Sequence, residues 1–421
     1  MTNDDALPRK EALELVSETA STSGEISLRK QQNSISLRIF ALCVTSIAVA
    51  VHYTNYGPLI PTLMTELHIK SSQAGLFSTF LFLGLAVMYV PAGAVADRYG
   101  QRSVIIGSSL LLVLGALLLP LSSNFLRILL CRFVVGLGSG AAFVAGAGVA
   151  SNLGKHSSLG QGLYGGSVQI GAGLGLLLTP HLLALFGWRG SFLIWGLLGI
   201  LSVLIWLFVS NGQEAQATHN VSFATGIRSP AVWTLGLSHM GTFGLGNAIA
   251  AWIAVYLVYQ YGLPMGLAAT LGSIALLMGM FFRPFGGILI ARRIMGAIPL
   301  LCLGTMLNCA GVGVLAIPLR LPPLAFLGMS CIAIGSTIPY ASVFNEAAHL
   351  RGIGKGVAQG LASTISTPTV LLGPPLIGLL FEHTHNFTLA FGSMLLFGFA
   401  AITVSFLAGP AVKRETISTP A

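Results

Sequence analysis

Long apolar runs recur along almost the whole chain and are separated by short polar connections. Each run is long enough to cross a bilayer core of roughly 30 Å as a helix. Such continuously apolar runs indicate helices, because barrel strands alternate apolar and polar positions. The sequence therefore predicts an all-α membrane protein whose twelve transmembrane helices cover approximately residues 38–62, 72–96, 102–121, 125–150, 160–186, 189–210, 230–258, 266–291, 296–318, 322–345, 355–380 and 387–410.

The composition of the chain agrees with this interpretation. Of its 421 residues, 54% are hydrophobic and only 8% are charged, whereas a soluble domain carries roughly 25% charged residues. Most of the 52 glycines lie inside the apolar runs, where small residues let helices approach closely. The composition therefore excludes an ordinary soluble domain.

The basic residues predict how the helices are oriented. With both ends of the chain in the cytoplasm, fifteen basic residues lie in cytoplasmic segments, four on the opposite side and two inside spans. This asymmetry follows the positive-inside rule and accounts for a net charge of +9 without a nucleic-acid partner. We expect a multi-pass protein of the cell membrane with a flexible cytoplasmic tail (1–36), a six-helix bundle (37–210), a cytoplasmic linker (211–229), a second six-helix bundle (230–411) and a cytoplasmic C-terminal tail (412–421).

An internal repeat relates the two predicted bundles. A constant offset of 194 residues pairs Gly93 with Gly287, Arg98 with Arg292, Gly162 with Gly356 and Pro180 with Pro374. One offset that holds from the first to the fifth span of each half indicates two bundles of the same topology. Parallel repeats of this kind place a substrate site between the halves, near the middle of the membrane.

Two charged motifs interrupt the apolar pattern. Residues 93–102, Gly-Ala-Val-Ala-Asp-Arg-Tyr-Gly-Gln-Arg, resemble the signature Gly-x-Leu-Ala-Asp-Arg-x-Gly-Arg-Arg of the major facilitator superfamily of secondary transporters, with Val95 and Gln101 as departures. The segment Arg132-x-x-x-Gly136-x-Gly138-x-Gly140 is similar to the helix-4 pattern of that family, and Trp188-Arg189 after helix 5 is also typical. The resemblance covers roughly residues 38–410. It implies two pseudo-symmetric six-helix bundles that move a solute by alternating access.

The first motif predicts a gate formed by Gly93, Asp97, Arg98, Gly100 and Arg102. Asp97 would lie at the cytoplasmic end of helix 2, on the side where helix 11 begins, and an anion at a helix N-terminus gains about 0.3–1 kcal/mol. This contact would form only when the cytoplasmic side closes, so it would favour the outward-open state. The residue that the repeat pairs with Asp97 is Ala291. A carboxylate contact of this kind can therefore form in the first half only. The alternative is a solvated loop with positive-inside arginines.

Arg132 and Arg283 lie inside predicted spans that hold no Asp or Glu near mid-membrane. Charges at this depth are costly and usually functional, so unpaired cations favour an anionic substrate. In the alternatives, Arg132 bonds backbone carbonyls of a neighbouring helix, and Arg283 extends to the cytoplasmic interface. Arg283 resembles the helix-8 arginine that nitrate/nitrite porters use on their anion. However, Tyr89 stands where those porters carry a helix-2 arginine, so a larger organic anion or a neutral solute fits at least as well as nitrate.

Polar and aromatic residues complete the predicted substrate site. The resemblance implies a cavity lined by helices 1, 4, 7 and 10, and the polar set on helix 1 is the one we favour. The predicted substrate-binding residues are Arg132, Arg283, His52, Tyr53, Tyr56, Tyr89, Gln169, Asn247, Trp252 and Tyr340. His52 and His239 are the titratable groups near mid-span, and we expect proton coupling, if present, to use one of them.

Together these features predict a secondary active transporter for a small organic anion, with co-transport of a proton, exchange or uniport all left open. The alternatives are a multidrug efflux antiporter for amphipathic compounds and, from another class, a transporter-like membrane sensor. We expect a monomer without enzymatic activity, because the sequence contains no paired carboxylates or Ser/His/Asp set. The sequence also contains no metal-ligand cluster, so we expect no bound metal, and we expect no cofactor.

Overall fold

The computed structural model describes residues 35–153, 157–209 and 223–415, and the regular elements of these residues are helices. The main helices are α1 (Ile35–Leu67), α2 (Ser71–Tyr99), α3 (Gln101–Leu118), α4 (Phe125–Ser151), α5 and α6 (together Ser157–Phe208), α7 (Pro230–Tyr261), α8 (Met265–Ala291), α9 (Ala297–Ala316), α10 (Pro322–Ala348), α11 (Lys355–Thr384) and α12 (Phe387–Gly392 and Leu395–Glu415). A short helix, Phe223–Arg228, precedes α7.

Eleven helices of the described chain are long and apolar enough to cross a membrane. The longest of them, Gly160–Phe208, has 49 residues, although about 20 suffice for one crossing. Its backbone leaves helical geometry at Gly187 (φ 67°, ψ 177°), a conformation that favours glycine. We therefore divide it into α5 (157–186) and α6 (188–208), which gives twelve spans and confirms the predicted fold class.

The predicted span boundaries are close to those of the structure. α1 continues beyond its predicted end to Leu67, and α12 continues to Glu415, inside the predicted C-terminal tail. The short helix Phe223–Arg228 lies in the predicted linker. The predicted N-terminal tail up to residue 34 and linker residues 211–222 lie outside the described residues. The division of the chain into domains remains a prediction.

Glycines bring the helices of each bundle into backbone contact. In the first bundle, a Cβ atom added to Gly136 of α4 would lie 3.0 Å from the Cα atom of Gly84 in α2. In the second bundle, a Cβ atom added to Gly304 of α9 would lie 2.6 Å from the carbonyl oxygen of Gly335 in α10. Lipid does not favour burial of apolar surface between helices, so close packing of this kind holds such bundles together.

Two pairs of helices join the bundles: α2 packs along α11, and α5 packs along α8. The repeat relates these pairs, because its offset maps α2 onto α8 and α5 onto α11. On the α2–α11 seam, Gly378 lies against the backbone of Ser71, and a Cβ atom added to Gly360 would lie 2.9 Å from the carbonyl oxygen of Tyr89. The bundles are thus in contact near both ends of this seam. We call these the Glu382 end (residues 66–72 and 378–386) and the Asp97 end (residues 97–102 and 349–355).

Four helices lose regular α-helical geometry in their middle parts. The interruptions are at residues 55–56 of α1, in a π-helical turn (Met240–Gly244) of α7, at residues 338–339 of α10 and at residues 366–367 of α11. Proline, which cannot donate a backbone hydrogen bond, lies in or just after three of them: Pro58, Pro339 and Pro368. Irregular backbone at membrane depth is tolerated where it is buried in protein or lines a cavity. The interruptions therefore point to the space between these helices as the functional site.

The glycine contacts give a direct test of this packing. We expect Gly136→Ala to lower the midpoint of thermal unfolding in detergent micelles, because overpacking typically costs about 1–3 kcal/mol. The matched control is Gly107→Ala in α3, where an added Cβ atom would meet nothing within 4 Å. Alanine is the better helix former, so this control should leave the midpoint unchanged or raise it. Equal destabilisation by both variants would contradict the assigned α2–α4 contact.

Candidate functional site

A buried arginine lies at the seam between α5 and α8. Arg283 is 6% exposed, and its Nη1 donates a hydrogen bond of 2.6 Å across the seam to the carbonyl oxygen of Gly165. The guanidinium lies over the ring of Tyr340, 4.1 Å from the ring centroid. Its Nε–H is buried and has no hydrogen-bond partner among the described residues. Arg283 therefore points into the protein and does not extend to the membrane interface.

Two small cavities meet at Arg283, which lines both of them. The smaller cavity has about 20 Å³ and lies between the bundles. Since roughly 10–15 Å³ holds one water, it has room for one or two waters in this closed arrangement. The residues that line it are Tyr53, Tyr89, Phe143, Val168, His239, Phe243, Arg283, Tyr340, Phe344, Ser363 and Ser366.

The larger cavity has about 50 Å³ and lies mainly within the second bundle. One residue of the first bundle, Gln169 of α5, closes it, and the other lining residues belong to α7, α8 and α10. These are Phe243, Gly246, Asn247, Ile249, Ala250, Ile253, Gly272, Ala275, Leu276, Arg283, Met329, Ile332, Ala333, Ser336 and Thr337. The two cavities share Phe243 and Arg283, so Arg283 can face a ligand in either of them.

The interrupted helices place their side chains at these cavities. Tyr53 lies two residues before the break in α1, and Phe243 lies inside the π-helical turn of α7. Tyr340 follows the break in α10, and Ser366 lies in the break of α11. All four of these residues line the smaller cavity. The breaks thus surround the cavity, as expected for irregular backbone at membrane depth.

Arg132 occupies a different environment from Arg283. It is fully buried and donates hydrogen bonds to the carbonyl oxygens of Phe77 (3.2 Å) and His52 (2.9 Å) and to Oδ1 of Asn55 (3.2 Å). Its guanidinium also lies 5.3 Å from the ring centroid of Tyr56. It lines neither cavity at Arg283. This is the geometry of the alternative in which Arg132 bonds the backbone of neighbouring helices.

The structure brings together six of the predicted substrate-binding residues around the two cavities. They are Tyr53, Tyr89, Arg283 and Tyr340 at the smaller cavity and Gln169 and Asn247, again with Arg283, at the larger one. Three other predicted residues lie elsewhere. His52 and Tyr56 surround Arg132, and Trp252 donates from its Nε1 to the carbonyl oxygen of Pro374 at 3.0 Å.

The two histidines proposed for proton coupling differ in position. His239 lines the smaller cavity; its Nδ1 lies 2.8 Å from Oγ1 of Thr242, and its ring stacks on Phe243 at 5.5 Å. His52 lines neither cavity. Its Nδ1 lies 3.3 Å from Nδ2 of Asn55, and its buried Nε2 has no partner among the described residues. Of the two, His239 is therefore the one within reach of a bound ligand.

Of the predicted gating residues, Gly93, Asp97 and Arg98 lie in the last two turns of α2, Gly100 connects the two helices, and Arg102 lies in the first turn of α3. Gly100 adopts φ 85° and ψ 144°, a positive-φ conformation that favours glycine. Arg102 donates to the carbonyl oxygens of Trp206 (2.9 Å) and Leu207 (3.0 Å) in the last turn of α6, where a cation is favourable. Arg98 has an exposed side chain. The side chain of Asp97 lies outside what the structure describes.

Several residues at the site were not predicted from the sequence. Phe143 has its ring centroid 6.0 Å from that of Tyr89 and 6.2 Å from that of Phe344, and Phe243 borders both cavities. A phenylalanine in an apolar run carries no signal that separates lipid contact from cavity lining.

At the Glu382 end, Glu382 forms an ion pair with Lys70 at 3.2 Å and accepts a hydrogen bond from Ser72 at 2.9 Å. Only the fold shows that these three residues meet across the bundles.

Twelve helices in two related bundles, with a buried cation and cavities at their interface, are the architecture of a two-bundle membrane transporter. The sequence profile described as Major Facilitator Superfamily matches residues 42–368. The chain therefore belongs to this superfamily of membrane transporters, which confirms the resemblance drawn from its motifs. Like its relatives, it is a transporter and not an enzyme.

Curated relatives at low identity cover most of the chain. The "Probable anion transporter 6, chloroplastic" of Arabidopsis thaliana is 24% identical over 82% of this chain and 73% of its own length. The "Nitrite extrusion protein" of Bacillus subtilis is 24% identical over 86% and 91%. The "Probable L-galactonate transporter" of Escherichia coli is 21% identical over 83% and 84%.

A solved structure shares the fold. The crystal structure of a bacterial homologue of the human lysosomal transporter Spinster, in an inward-facing and occupied conformation, matches with a TM-score of 0.73 at 18% identity. The match covers 91% of this chain and 98% of that chain. At this identity the similarity shows the fold alone.

The hydrogen bonds of Arg132 predict a structural role. We expect Arg132→Met to lower the midpoint of thermal unfolding strongly, because it leaves two buried carbonyl groups and the Asn55 amide without their donor, at roughly 1–3 kcal/mol each. Ligand affinity of the fraction that folds should change little, because Arg132 lines neither cavity. Thermal unfolding in detergent and ligand titration of the purified variant check the two parts. A stable variant that has lost ligand affinity would contradict this assignment.

Proposed function

We propose that this transporter carries a small organic anion and that Arg283 binds the anionic group. The observation that carries the proposal is the position of Arg283 where two cavities meet between the bundles, with a buried Nε–H that has no partner among the described residues. The lining residues of the two cavities include no Asp or Glu. A buried cation without a counter-ion is costly, and a bound anion would remove part of that cost.

The names of relatives support an anionic substrate. They include a probable anion transporter, a nitrite extrusion protein and a probable L-galactonate transporter. We favour an organic anion over nitrate because Tyr89, and not a second arginine, lines the smaller cavity with Arg283. The same cation argues against the multidrug alternative, because a cationic drug would be repelled by Arg283 and would find no carboxylate on the cavity walls.

Substitution of Arg283 tests this proposal. We expect Arg283→Gln to reduce saturable uptake of carboxylates into proteoliposomes by about 10- to 100-fold, since a hydrogen bond to a charged group contributes about 1.5–3 kcal/mol. Arg283→Lys should retain part of the activity, because it keeps the charge but loses the planar pair of donors. Uptake is measured with a panel of radiolabelled mono-, di- and hydroxycarboxylates.

The control for this experiment is Arg132→Lys, which removes a buried guanidinium at a site away from the cavities. In its folded fraction, the KM for the transported carboxylate should stay within about threefold of the wild-type value, a difference of roughly 0.65 kcal/mol. Carboxylate uptake that is unaffected by Arg283→Gln would overturn the proposal. Transport of cationic dyes without any anion uptake would favour the multidrug alternative.

We further propose that the protein lies in the cell membrane with both termini in the cytoplasm, so that the Asp97 end is cytoplasmic. The basic residues of the loops support this orientation. Asp97 follows Gly93 by one helical turn, on the same face of α2. A Cβ atom added to Gly93 would lie 3.8 Å from the carbonyl group of Gly356, near the start of α11. This neighbourhood supports a contact of Asp97 with the N-terminus of α11 when the cytoplasmic end is closed.

Glu382 supplies the corresponding contact at the opposite end. Its partner Lys70 is 72% exposed, and exposed ion pairs contribute little, so the effect of this pair on the two states is expected to be small. Glu382 also accepts a hydrogen bond from the hydroxyl of Ser72, which adds to the contact between the bundles at this end. On this view a carboxylate of one bundle faces the other bundle at each end, and alternating access breaks one contact while it keeps the other.

Neutralising each carboxylate should shift the population of states in opposite directions. We expect Asp97→Asn to favour opening of the Asp97 end and Glu382→Gln to favour opening of the Glu382 end, each by a few-fold. The reporters are single cysteines at Thr364 and Thr79, whose side chains bond across the seam to the carbonyl oxygens of Ala86 and Leu371. Labelling is measured with the five native cysteines replaced by alanine. Identical labelling patterns in the two variants would refute the two-gate proposal.

A further inference from the structure

The larger cavity at Arg283 has walls that are mostly apolar. Aliphatic side chains from three helices contribute to them: Ile249 and Ile253 from α7, Leu276 from α8, and Met329 and Ile332 from α10. We infer that the transported anion is a monocarboxylate with a short apolar body, its carboxylate on Arg283 and its body in this cavity. This inference rests on the proposed function, and it adds the charge, the size and the shape of the substrate.

The charge of the cavity selects a single anionic group. Arg283 is the one Lys or Arg among the residues that line the two cavities, and these lining residues include no carboxylate. One carboxylate can be neutralised by this guanidinium. A second carboxylate on the ligand would enter the apolar cavity as an unpaired charge, which is strongly unfavourable. Dicarboxylates are therefore expected to bind more weakly than monocarboxylates of the same length.

The polar groups on the walls strengthen this selection, because most of their donors are already used. Nδ2 of Asn247 donates to the carbonyl oxygen of Phe243 at 2.8 Å, and the hydroxyls of Ser336 and Thr337 donate to Asn308 Oδ1 (3.2 Å) and to the Ala333 carbonyl oxygen (2.6 Å). The hydroxyls of Ser336 and Thr337 therefore offer acceptor oxygens to the cavity, and Asn247 offers its Oδ1 and one remaining N–H. A ligand hydroxyl would be accepted there, whereas a second carboxylate would meet mainly oxygen lone pairs.

Gln169 is the exception and marks where the carboxylate lies. It is 8% exposed, lines the larger cavity and has no hydrogen bond to another described residue. Its Nε2 lies beside Gly279, where an added Cβ atom would be 2.5 Å away; Gly279 precedes Arg283 by one turn of α8. An amide donor and a guanidinium with a free Nε–H thus border one corner of the cavity. Together they can hold the two oxygens of one carboxylate.

The volume of the cavity limits the body of the ligand. About 50 Å³ corresponds to roughly three to five water-sized volumes. A chain of about three to five carbons beyond the carboxylate would fill this space. Nitrate would leave most of it empty, and a long-chain fatty acid would exceed this volume. Carboxylates from butyrate to hexanoate match these limits.

Titration of the purified protein in detergent micelles with acetate, butyrate, hexanoate, octanoate, succinate and nitrate tests the inference by calorimetry. We expect each added methylene up to hexanoate to tighten binding about threefold to fourfold, with no further gain for octanoate. Succinate and nitrate should bind at least tenfold more weakly than butyrate. Binding that is independent of chain length, or succinate or nitrate binding as tightly as butyrate, would overturn the inference.

A cavity-filling variant separates this inference from the proposed function. Ala250→Leu adds volume at the cavity wall and should weaken hexanoate binding at least tenfold while acetate binding stays within twofold. The matched control is Gly313→Leu in α9, where an added Cβ atom would meet nothing within 4 Å; it should leave both affinities unchanged. Equal loss of acetate and hexanoate in a folded Ala250→Leu protein would refute the cavity assignment. Loss of all carboxylates in Arg283→Gln, whatever the chain length, would still support the proposed function.

Discussion

A polar group that leaves regular helix geometry inside a membrane must find its partner within the protein, because hydrocarbon supplies none. This constraint explains why the irregular parts of α1, α7, α10 and α11 lie together around the smaller cavity. It also explains the different environments of two arginines in the same chain. Arg132 is stabilised by backbone and amide oxygens next to the break in α1. Arg283 has one carbonyl partner and a ring, so part of its bonding capacity remains for a ligand.

The fold could be predicted from the sequence, whereas the roles of the two arginines could not. Span length, glycine placement and the constant repeat offset report on each helix and on its counterpart in the other half, which suffices for two six-helix bundles. A backbone carbonyl that accepts a hydrogen bond from an arginine gives no signal in the sequence, because every residue has a backbone carbonyl. Arg132 and Arg283 were therefore both predicted to bind substrate, and only the structure shows which carbonyl groups lie beside each guanidinium. The apolar cavity beside α7, α8 and α10 was missed for a related reason, since its aliphatic walls resemble any lipid-facing surface.

The repeat is symmetric in its packing but asymmetric in its chemistry. The seams α2–α11 and α5–α8 are equivalent under the offset, and so are the positions of Tyr89 and Arg283, which line the same small cavity from opposite bundles. The cation is present in one copy only. Under the proposed function, a symmetric scaffold opens at either end, whereas the site within it binds the anion mainly through the second bundle. The same asymmetry recurs at the proposed gate, where Ala291 is the counterpart of Asp97.

Under the proposed function, Arg283 also connects ligand binding to the contact between the bundles. Its guanidinium donates across the α5–α8 seam to Gly165 while it stacks on Tyr340 of its own bundle. A ligand carboxylate at this position would contact the group that bridges the two halves. A ligand shifts an equilibrium between states only through a difference in its affinity for them, and a site on the bridging residue supplies such a difference. Arg132, whose partners all lie in the first bundle, cannot provide this coupling however strongly it binds them.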